Sequence, residues 1–499
     1  MDKISARHHD EPTFAVDGAE VRARLLAALG PEVVRTAPEE LIPYECDGLS
    51  VFRAQPLAVV LPRNEDEVVT ALRLLHALRV PVVPRGAGTG LSGGAMPRPD
   101  GVVLSLARLN RIVAIDPLAR LARVQPGVRN LAISEAAAPY GLYYAPDPSS
   151  QIACTIGGNV AENSGGVHCL KYGLTVHNVL AVRGYTAAGE PVAFGSEAPD
   201  APGLDTLALV VGSEGMLAVI TEVTVRLLPK PAVAKCLLAA FSSVRAAGEA
   251  VAAVIAAGII PAGLEMMDQG AVEAVEAFIH AGYPTDAAAL LLCEADGTEE
   301  EVAEEIERMR SVLLAHGASE VRVSRDEAER LRFWAGRKAA FPAAGRLSPD
   351  YYCMDGTIPR RAIGEMLEAI AEMQQRYGLR CLNVFHAGDG NLHPLILFDA
   401  NRPGEWERAE AFGAEILERS VALGGTITGE HGVGIEKINQ MCVQFTAEER
   451  EAFFQVKAAF DPEGLLNPGK AIPTLHRCAE YGRMRVHRGA LPFAGLPRF

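Results

Sequence analysis

The sequence predicts an α+β protein built from two main domains. A chain of 499 residues is too long for one hydrophobic core at roughly 150 residues per domain. Apolar residues change repeatedly between helical spacing and the short runs typical of strands. The two prolines of Leu228–Pro231 (LPKP) mark a boundary between two such series. We predict a lead-in over residues 1–50, domains over 51–231 and 232–472, and a tail over 473–499.

The first domain is predicted to combine short apolar strands with an amphipathic helix. After the second strand comes a glycine-rich loop, Arg85–Pro97 (RGAGTGLSGGAMP), which runs into a further apolar strand. The loop therefore lies between two strands and not at the start of a helix, which excludes a Rossmann fingerprint. Helices are predicted at 20–29 and 65–79, and strands at 57–61, 80–84 and 102–106.

Glycine-rich segments are the main chemical feature of this domain. In the first, backbone amides can turn toward an anion, and Thr89 and Ser92 add hydroxyl donors. A second segment, Ala145–Gly173, holds too much glycine for a well-packed helix. A third begins at Gly212. Three separated segments favour a long dinucleotide cofactor such as FAD, although the first loop could also serve only to connect strands.

The second domain is predicted to alternate helices and strands. Its longest apolar run, Ala250–Leu264, has about fifteen residues against the roughly twenty that a membrane span needs. We therefore predict a buried helix that leads into a strand. Helices are predicted at 243–257, 298–316, 360–377 and 405–423, and strands at 259–265, 287–294, 319–323, 381–386, 393–398 and 425–428.

Two motifs in this domain carry potential metal ligands. His386 and His393 flank a Gly-Asp-Gly turn in NVFHAGDGNLHP, and Glu430 and His431 stand together in TGEHGVG. Two histidines and one carboxylate with open positions are typical of a catalytic zinc, manganese or iron site. A free histidine beside such an ion could act as a base toward a hydroxyl group. Alternatively, the histidines could be ordinary core residues, Glu430 a surface group, and His431 only a partner that orients Glu430.

Composition excludes several classes of protein. A net charge of −15 argues against nucleic-acid binding. The nine cysteines include no C-x-x-C pair, so the chain offers no iron–sulfur motif of its own. The first fifteen residues lack the apolar core of a signal peptide, which predicts a cytoplasmic location.

The glycine-rich segments resemble the FAD-binding domain of the vanillyl-alcohol oxidase and p-cresol methylhydroxylase superfamily. Together with HAGDGNLHP, TGEHGVG and FDPEGLLNPGK, they make residues 40–475 similar to the FAD-linked 2-hydroxy-acid dehydrogenases. Phe333–Arg360 and the tail segment PTLHRCAEYG most resemble the glycolate-oxidising flavin subunits of that family. The resemblance implies a two-part FAD-binding domain followed by a ferredoxin-like α+β substrate domain.

The resemblance also implies site residues. It assigns His386, His393 and Glu430 to a divalent metal and His431 to the base that removes the hydroxyl proton while a hydride passes to flavin N5. Some superfamily members attach FAD through a histidine in the first loop, and this loop has none, so we expect non-covalent FAD. The candidate cofactor-binding residues are Arg85, Gly86, Ala87, Gly88, Thr89, Gly90, Ser92, Gly93, Pro146, Asp147, Ser149, Gly157, Gly158, Asn159, Asn163, Gly165, Gly166, Glu214, Gly215 and Ile220.

Residues between 337 and 352 are the candidates for recognising the substrate. Arg337 could hold its carboxylate in a bidentate fork, or could be a surface arginine of a helix beside Lys338. Tyr351 and Tyr352 are predicted to line the pocket. With Phe341 they favour a small monocarboxylate, and the predicted reaction is oxidation of glycolate to glyoxylate.

The resemblance further implies partner proteins. We expect an iron–sulfur subunit and a second flavoprotein-like subunit that pass electrons on and bring the complex to the inner face of the membrane. The tail is a candidate docking element, or else an inert solvated segment. The alternatives are a stand-alone D-lactate or D-2-hydroxyglutarate dehydrogenase, a partner-binding subunit with a degenerate site, and a metal-dependent hydrolase, which would need no flavin loops.

Overall fold

A small mixed sheet with helices on it forms the first layer of the protein. The computed structural model describes residues 14–198 and 203–473. The strand order is β1-β2-β4-β3, with β2, β4 and β3 parallel and β1 antiparallel to β2. Its elements are α1 (Gly18–Leu29), β1 (Val34–Arg35), α2 (Pro38–Leu41), β2 (Ala58–Val60), α3 (Glu65–Ala77), β3 (Val82–Arg85) and β4 (Val102–Ser105).

An antiparallel five-stranded sheet follows, and the glycine-rich segments lie around it. The strand order is β5-β6-β10-β8-β9, and β7 pairs separately with β11. The elements are β5 (Ile112–Asp116), β6 (Leu121–Val124), α4 (Asn130–Ala137), β7 (Leu142–Tyr143), α5 (Ile156–Glu162), α6 (Cys169–Tyr172), α7 (Thr175–Asn178), β8 (Val179–Tyr185), β9 (Pro191–Gly195), α8 (Thr206–Val210), β10 (Val219–Arg226) and β11 (Leu228–Pro229).

The second half of the chain is built on an antiparallel seven-stranded sheet. The strand order is β15-β12-β14-β13-β17-β18-β16. Its elements are β12 (Val233–Phe241), α9 (Val244–Ala256), β13 (Gly263–Asp268), α10 (Gln269–Ile279), β14 (Ala289–Gly297), α11 (Glu299–Ala315), β15 (Ala318–Val323), α12 (Glu327–Lys338), α13 (Ala340–Leu347), β16 (Asp350–Cys353), α14 (Ile363–Tyr377), β17 (Cys381–Phe385), β18 (Pro394–Phe398), α15 (Glu405–Ala422), α16 (Met441–Gln444) and α17 (Ala447–Phe460).

Burial on both faces explains why the central strands of this sheet are almost wholly apolar. Strand β14 lies between β12 and β13, and its residues from Ala289 to Asp296 are all buried. Helices α9, α11, α14 and α15 contribute to the large core on one face, and α10, α12 and α13 to the core on the other. Acidic residues that stand in these strands are therefore buried and need partners.

The chain returns to its first sheet after α17. The amide of Val82 donates to the carbonyl of Leu465 at 2.8 Å, and the amide of Asn467 donates to the carbonyl of Val82 at 2.8 Å. Lys457 donates to the carbonyl of Leu466 at 2.7 Å and stabilises the same turn. The segment around Leu466 therefore joins the second half of the chain to strand β3 of the first sheet.

Several predicted elements differ from the structure. Residues 425–428 form no strand, because Thr426 makes only an isolated bridge to Thr357. The segment Ala145–Gly173 does contain a helix, α5, since its glycines allow close packing: a Cβ on Gly157 would lie 2.6 Å from Cβ of Pro126. The helices α4, α10, α12, α13 and α17 were not predicted.

Two predicted regions lie wholly or partly outside the described residues. The tail over 473–499 is described only at Pro473, and the lead-in only from Phe14 onward. Within the described part of the chain, no helix has both the length and the apolar character that a membrane crossing requires.

Candidate functional site

A cavity of about 460 Å³ lies between the glycine-rich segments and the second domain. Its first-domain wall includes thirteen of the predicted cofactor-binding residues: Arg85, Gly86, Ala87, Gly88, Thr89, Gly90, Ser149, Gly157, Gly158, Asn159, Glu214, Gly215 and Ile220. Its second-domain wall includes Lys338, Phe341, Pro342, His393, Glu430 and His431. Residues predicted to bind FAD and residues predicted to bind a metal or act as the base therefore border the same cavity.

The other predicted cofactor-binding residues do not line this cavity, and most of them hold neighbouring segments. The carbonyl of Ser92 accepts from the amides of Ile435 and Glu436, and a Cβ on Gly93 would lie 2.5 Å from Ile435. The carbonyl of Pro146 accepts from Asn130. Besides Ser92, Gly93 and Pro146, the residues of this group are Asp147, Asn163, Gly165 and Gly166.

Asp147 and Gly166 pack on each other beside a contact between the two domains, which His168 makes. A Cβ on Gly166 would lie 2.5 Å from the Asp147 carbonyl, so the two segments touch. Asp147 Oδ2 lies 2.8 Å from His168 Nδ1, and His168 Nε2 lies 3.3 Å from Oε1 of Glu294 on β14. Burial opposes protonation of His168, but Asp147 and Glu294 outweigh it and raise the pKa of the imidazole to about 10.

The first-domain wall fits a dinucleotide cofactor. A Cβ on Gly86 would lie 2.3 Å from Oγ1 of Thr155, which leaves no room for a side chain there, and Gly88 has a left-handed backbone with φ +71° that disfavours one. The Thr155 hydroxyl is buried there and has no hydrogen-bond partner among the described residues. Backbone amides without obstructing side chains, together with a free hydroxyl, are what a pyrophosphate requires.

His386, His393 and Glu430 come together as the sequence predicted. Their ligand atoms all lie within 4.8 Å of one another. Oε1 of Glu430 is 3.1 Å from Nε2 of His386 and 3.3 Å from Nε2 of His393. Ligand atoms about 2.0–2.1 Å from a tetrahedral ion stand about 3.3–3.4 Å apart, so the spacing fits a divalent metal.

The charges around these ligands also fit a cation. Nε2 of His393 is buried and, although 3.3 Å from Oε1 of Glu430, makes no hydrogen bond to any described residue, so its lone pair can serve a metal. Burial opposes a charge on His386, but the charges of Glu265 and Glu430 outweigh it and raise the pKa of His386. Burial likewise opposes ionisation of Glu430, yet His386 and His393 hold its pKa well below the usual range. The carboxylates thus stabilise positive charge at the place where a metal would lie.

Glu265 on β13 joins His386 to Arg337. Glu265 Oε1 is 2.6 Å from Nδ1 of His386, and its Oε2 accepts from Nε of Arg337 at 2.7 Å. The side chains of Glu265 and Arg337 are 1% and 2% exposed, so this is a buried ion pair. A carboxylate on the far nitrogen of a metal-binding histidine fixes which nitrogen faces the metal.

Arg337 lies deeper than a surface helix arginine. It does not border the cavity, whereas its neighbour Lys338 does. Its Nη2 is buried and has no hydrogen-bond partner in the part of the chain that the structure describes, although Nε is paired with Glu265. The surface alternative is therefore wrong, and Arg337 keeps one donor available for an anion.

Asp355 organises the loop that carries Glu430 and His431. This fully buried carboxylate accepts from the amides of Gly429 at 3.2 Å and Glu430 at 3.0 Å, and from the amide of His431. Burial opposes its charge, but the ammonium of Lys437, 3.4 Å away, lowers the pKa of Asp355.

His431 borders the cavity beside the metal ligands. Its ring stacks on that of His393 with centroids 4.9 Å apart, and its Nδ1 lies 3.6 Å from Oδ2 of Asp355. Burial lowers the pKa of His431 to about 4 against the opposing charge of Asp355. The imidazole is therefore neutral near pH 7 and able to accept a proton.

The aromatic residues predicted to line the pocket divide between two faces. Phe341 borders the cavity, with ring centroids 6.4 Å from His393 and 6.0 Å from Tyr351. Tyr352 packs instead on Trp406, at 5.2 Å between centroids, because consecutive residues of β16 point to opposite faces. Neither tyrosine lines the cavity, so both predictions are wrong, although Tyr351 contacts Phe341, which does line it.

Two carboxylates of the site were not predicted. Glu265 stands among the apolar residues of β13, and Asp355 lies two residues after the end of β16. A single acidic residue in a buried strand is the pattern that could have identified Glu265, since such a charge requires a partner.

Comparison with known proteins agrees with this arrangement. A family model described as "FAD binding domain" matches residues 56–195, and one described as "FAD linked oxidases, C-terminal domain" matches residues 230–471. The structure is similar to p-cresol methylhydroxylase with substrate bound, with a TM-score of 0.77 at 17% identity over 93% of this chain and 98% of that chain. That similarity confirms the predicted fold class.

Relatives of known name cover nearly the whole chain. Glycolate oxidase subunit GlcD of Escherichia coli (strain K12) is 66% identical over 470 residues, which are 94% of each protein. GlcD of Bacillus subtilis (strain 168) is 41% identical over 90% of this chain and 96% of its own length. D-lactate dehydrogenase of Anaerostipes hadrus is 32% identical over 89% and 95%. The chain therefore belongs to the FAD-linked oxidase family that includes the glycolate oxidase subunit GlcD.

Proposed function

We propose that this chain uses FAD to oxidise a small 2-hydroxy acid, and that the substrate is glycolate, which becomes glyoxylate. The observation that carries the proposal is the shared cavity, where the glycine-rich segments meet His393, Glu430 and His431. The name of the 66% identical relative supports glycolate. A D-lactate dehydrogenase is the second candidate, supported by a relative at about half that identity.

The residues of the cavity divide the chemistry between them. When bound, FAD supplies a hydride acceptor, and a divalent ion supplies the positive charge that acidifies an alcohol. The chain contributes His386, His393 and Glu430 as metal ligands. Zinc, manganese and iron all accept two histidines and one carboxylate. The first-domain glycine segments hold the cofactor without a covalent bond.

His431 is the proposed base. It is neutral near pH 7, and Asp355 fixes its backbone through an accepted hydrogen bond. The proton leaves the substrate hydroxyl for the imidazole, and Asp355, close to Nδ1, stabilises the charge that the imidazole then carries. A neutral imidazole beside a buried carboxylate is suited to general base catalysis.

Arg337 is the proposed partner of the substrate carboxylate. The support is its buried, unpartnered Nη2, which an anion would satisfy. Lys338 borders the cavity and is the competing candidate. The variants Arg337→Gln and Lys338→Gln separate them, because the residue that binds the carboxylate should raise KM for the hydroxy acid far more than the other.

Phe341 supports a small substrate. Its ring stands against His393 and occupies the space beside the metal ligands with apolar surface. A second carboxylate placed there would lose its hydration without a compensating partner. Glycolate should therefore reduce the flavin faster than D-2-hydroxyglutarate at equal concentration.

The electrons must then leave the flavin. No Cys-x-x-Cys pair occurs in the sequence, and six of the seven described free cysteines are buried. We propose that the chain is a subunit of a glycolate-oxidising complex in the cytoplasm. An iron–sulfur subunit would take up the electrons, and a second flavoprotein-like subunit would complete the complex at the inner face of the membrane. Copurification of a cysteine-rich partner tests this, and removal of residues 476–499 tests whether the tail binds it.

The test of the function is anaerobic bleaching of the flavin absorbance. Glycolate, D-lactate, L-lactate and D-2-hydroxyglutarate are each mixed with the purified protein, before and after metal removal by a chelator. We expect the fastest bleaching with glycolate, and loss of bleaching when metal is removed. Faster bleaching by D-lactate would favour the second candidate, and absence of bleaching by every acid would refute the proposal.

A further inference from the structure

Two glutamates, Glu162 and Glu214, stand together on the cavity wall. Glu214 is one of the predicted cofactor-binding residues, whereas Glu162 has no role in the mechanism above. Glu162 ends α5, and Glu214 lies in the third glycine-rich segment. Both flank Gly432: a Cβ there would lie 2.1 Å from Oε2 of Glu162 and 3.1 Å from Oε1 of Glu214. The pair is therefore at the end of the cavity where Glu430 and His431 stand.

The two carboxyl groups have different surroundings. Glu214 accepts two hydrogen bonds of 2.7 Å, from the amide of Val433 to Oε1 and from that of Gly434 to Oε2. Glu162 Oε2 is buried and has no hydrogen-bond partner. Two amide donors stabilise a carboxylate at Glu214, whereas nothing among the described residues donates to Oε2 of Glu162.

A proton shared by such a pair belongs on the less supported member. Burial, followed by the charges of Glu214 and Asp47, raises the pKa of Glu162 well above its usual value. Lys437 and Lys470 oppose this shift. At Glu214, burial also raises the pKa, but the two amide donors oppose it. The two amide donors at Glu214 and the unpartnered oxygen of Glu162 therefore favour a proton on Glu162 over one on Glu214, and a protonated carboxyl group can donate a hydrogen bond.

We propose that Glu162, as a neutral acid, donates a hydrogen bond to the FAD ring system and thereby raises the reduction potential of the flavin. The proposal rests on the proposed function only in placing FAD in this cavity. A flavin that accepts a hydride becomes more negative, so a neutral donor stabilises its reduced form more than its oxidised form. A carboxylate at the same place would have the reverse effect.

The first test measures the midpoint potential of bound FAD by equilibration with reference dyes, without any hydroxy acid. Glu162→Leu removes the donor, and Glu162→Gln keeps a neutral donor of similar shape. We expect Glu162→Leu to weaken the binding of reduced FAD, relative to that of oxidised FAD, about tenfold. For a two-electron couple this is about 30 mV. Glu162→Gln and the control Glu222→Gln, on β10, should stay near the wild-type potential.

Two results would overturn the proposal. One is a wild-type potential in Glu162→Leu, which would mean that no hydrogen bond to the flavin was lost. The other is a potential in Glu162→Gln well above that of the wild type, which would mean that Glu162 is ionised and that the variant removed a negative charge. Because no substrate is present, failure of the hydroxy-acid assay leaves this test intact.

A second measurement covers the case in which Glu162→Leu loses FAD. Infrared difference spectra between reduced and oxidised protein report protonated carboxyl groups through their C=O band. We expect a band that shifts on reduction in the wild type and is absent from Glu162→Gln. No protonated carboxyl band, or one that persists unchanged in Glu162→Gln, would overturn the assignment.

Discussion

Glu265 should control metal affinity although it is not a metal ligand. Its Oε1 lies 2.6 Å from Nδ1 of His386, so a proton on Nδ1 leaves Nε2 free to face Glu430 and the metal. In Glu265→Gln an amide replaces the carboxylate, and the preference for that tautomer weakens. Losses of this kind reduce metal affinity about 10- to 100-fold. The variant should also lose stability, because Arg337 keeps its buried charge; removing one partner of such a pair costs about 3–5 kcal/mol.

The assay is competition between metal-depleted protein and a chelator of known affinity, with thermal denaturation in parallel. The matched control is Glu294→Gln on the neighbouring strand β14. Glu294 is equally buried and pairs with Arg330 at 2.8 Å, but it does not touch His386. We expect both variants to lower Tm and only Glu265→Gln to weaken metal binding. Wild-type metal affinity in Glu265→Gln, or an equal loss in both variants, would refute the role assigned to Glu265.

Further predictions concern the base, the cofactor and the domain contact. His431→Ala should retain metal, as measured by elemental analysis, and slow flavin reduction by about 10²- to 10⁴-fold; near-wild-type reduction would remove His431 from the mechanism. Acid precipitation should release FAD into the supernatant, because no histidine occurs in Arg85–Pro97, whereas flavin in the pellet would contradict this. Since Asp147 and Glu294 raise the pKa of His168 from 6.5 to about 10, its contribution to stability is complete below pH 6.5 and lost as the pH rises through 10. The Tm of the wild type should therefore fall more between pH 7 and pH 10 than that of His168→Gln, and parallel curves would contradict this.

The sequence predicted the metal cluster because much of its geometry is local. His386 and His393 lie on either side of a tight turn, at the end of β17 and the start of β18. Two strands joined by a short turn must pair, so the histidines had to lie close together. Glu430 came from a second motif, TGEHGVG, which was predicted to follow a strand at 425–428. The Glu265 and Asp355 contacts depend on which strands are neighbours, and a single sequence does not contain that information.

The secondary-structure errors have physical causes in close packing. The glycines of α5 are poor helix formers, yet Gly157 rests against Pro126 at a distance that no side chain would allow, so tertiary contact outweighs propensity. Residues 425–428 look like a strand, but a Cβ on Gly425 would lie 1.8 Å from the carbonyl of Thr357. The chain there crosses a neighbouring loop at one point instead of pairing along its length.

Residues of the first domain hold the loop that carries Glu430, a candidate metal ligand of the second domain. The amide of Gly165, in the second glycine-rich segment, donates to Oε2 of Glu430 at 2.9 Å. Glu214, from the first domain, accepts from the amides of Val433 and Gly434 in the same loop. The second glycine-rich segment and Glu430 are therefore in direct contact, so a movement of that segment on FAD binding would reach a candidate metal ligand. Any coupling through this contact must be equal in both directions. The candidate site thus draws on both halves of the chain, and neither half contains it alone.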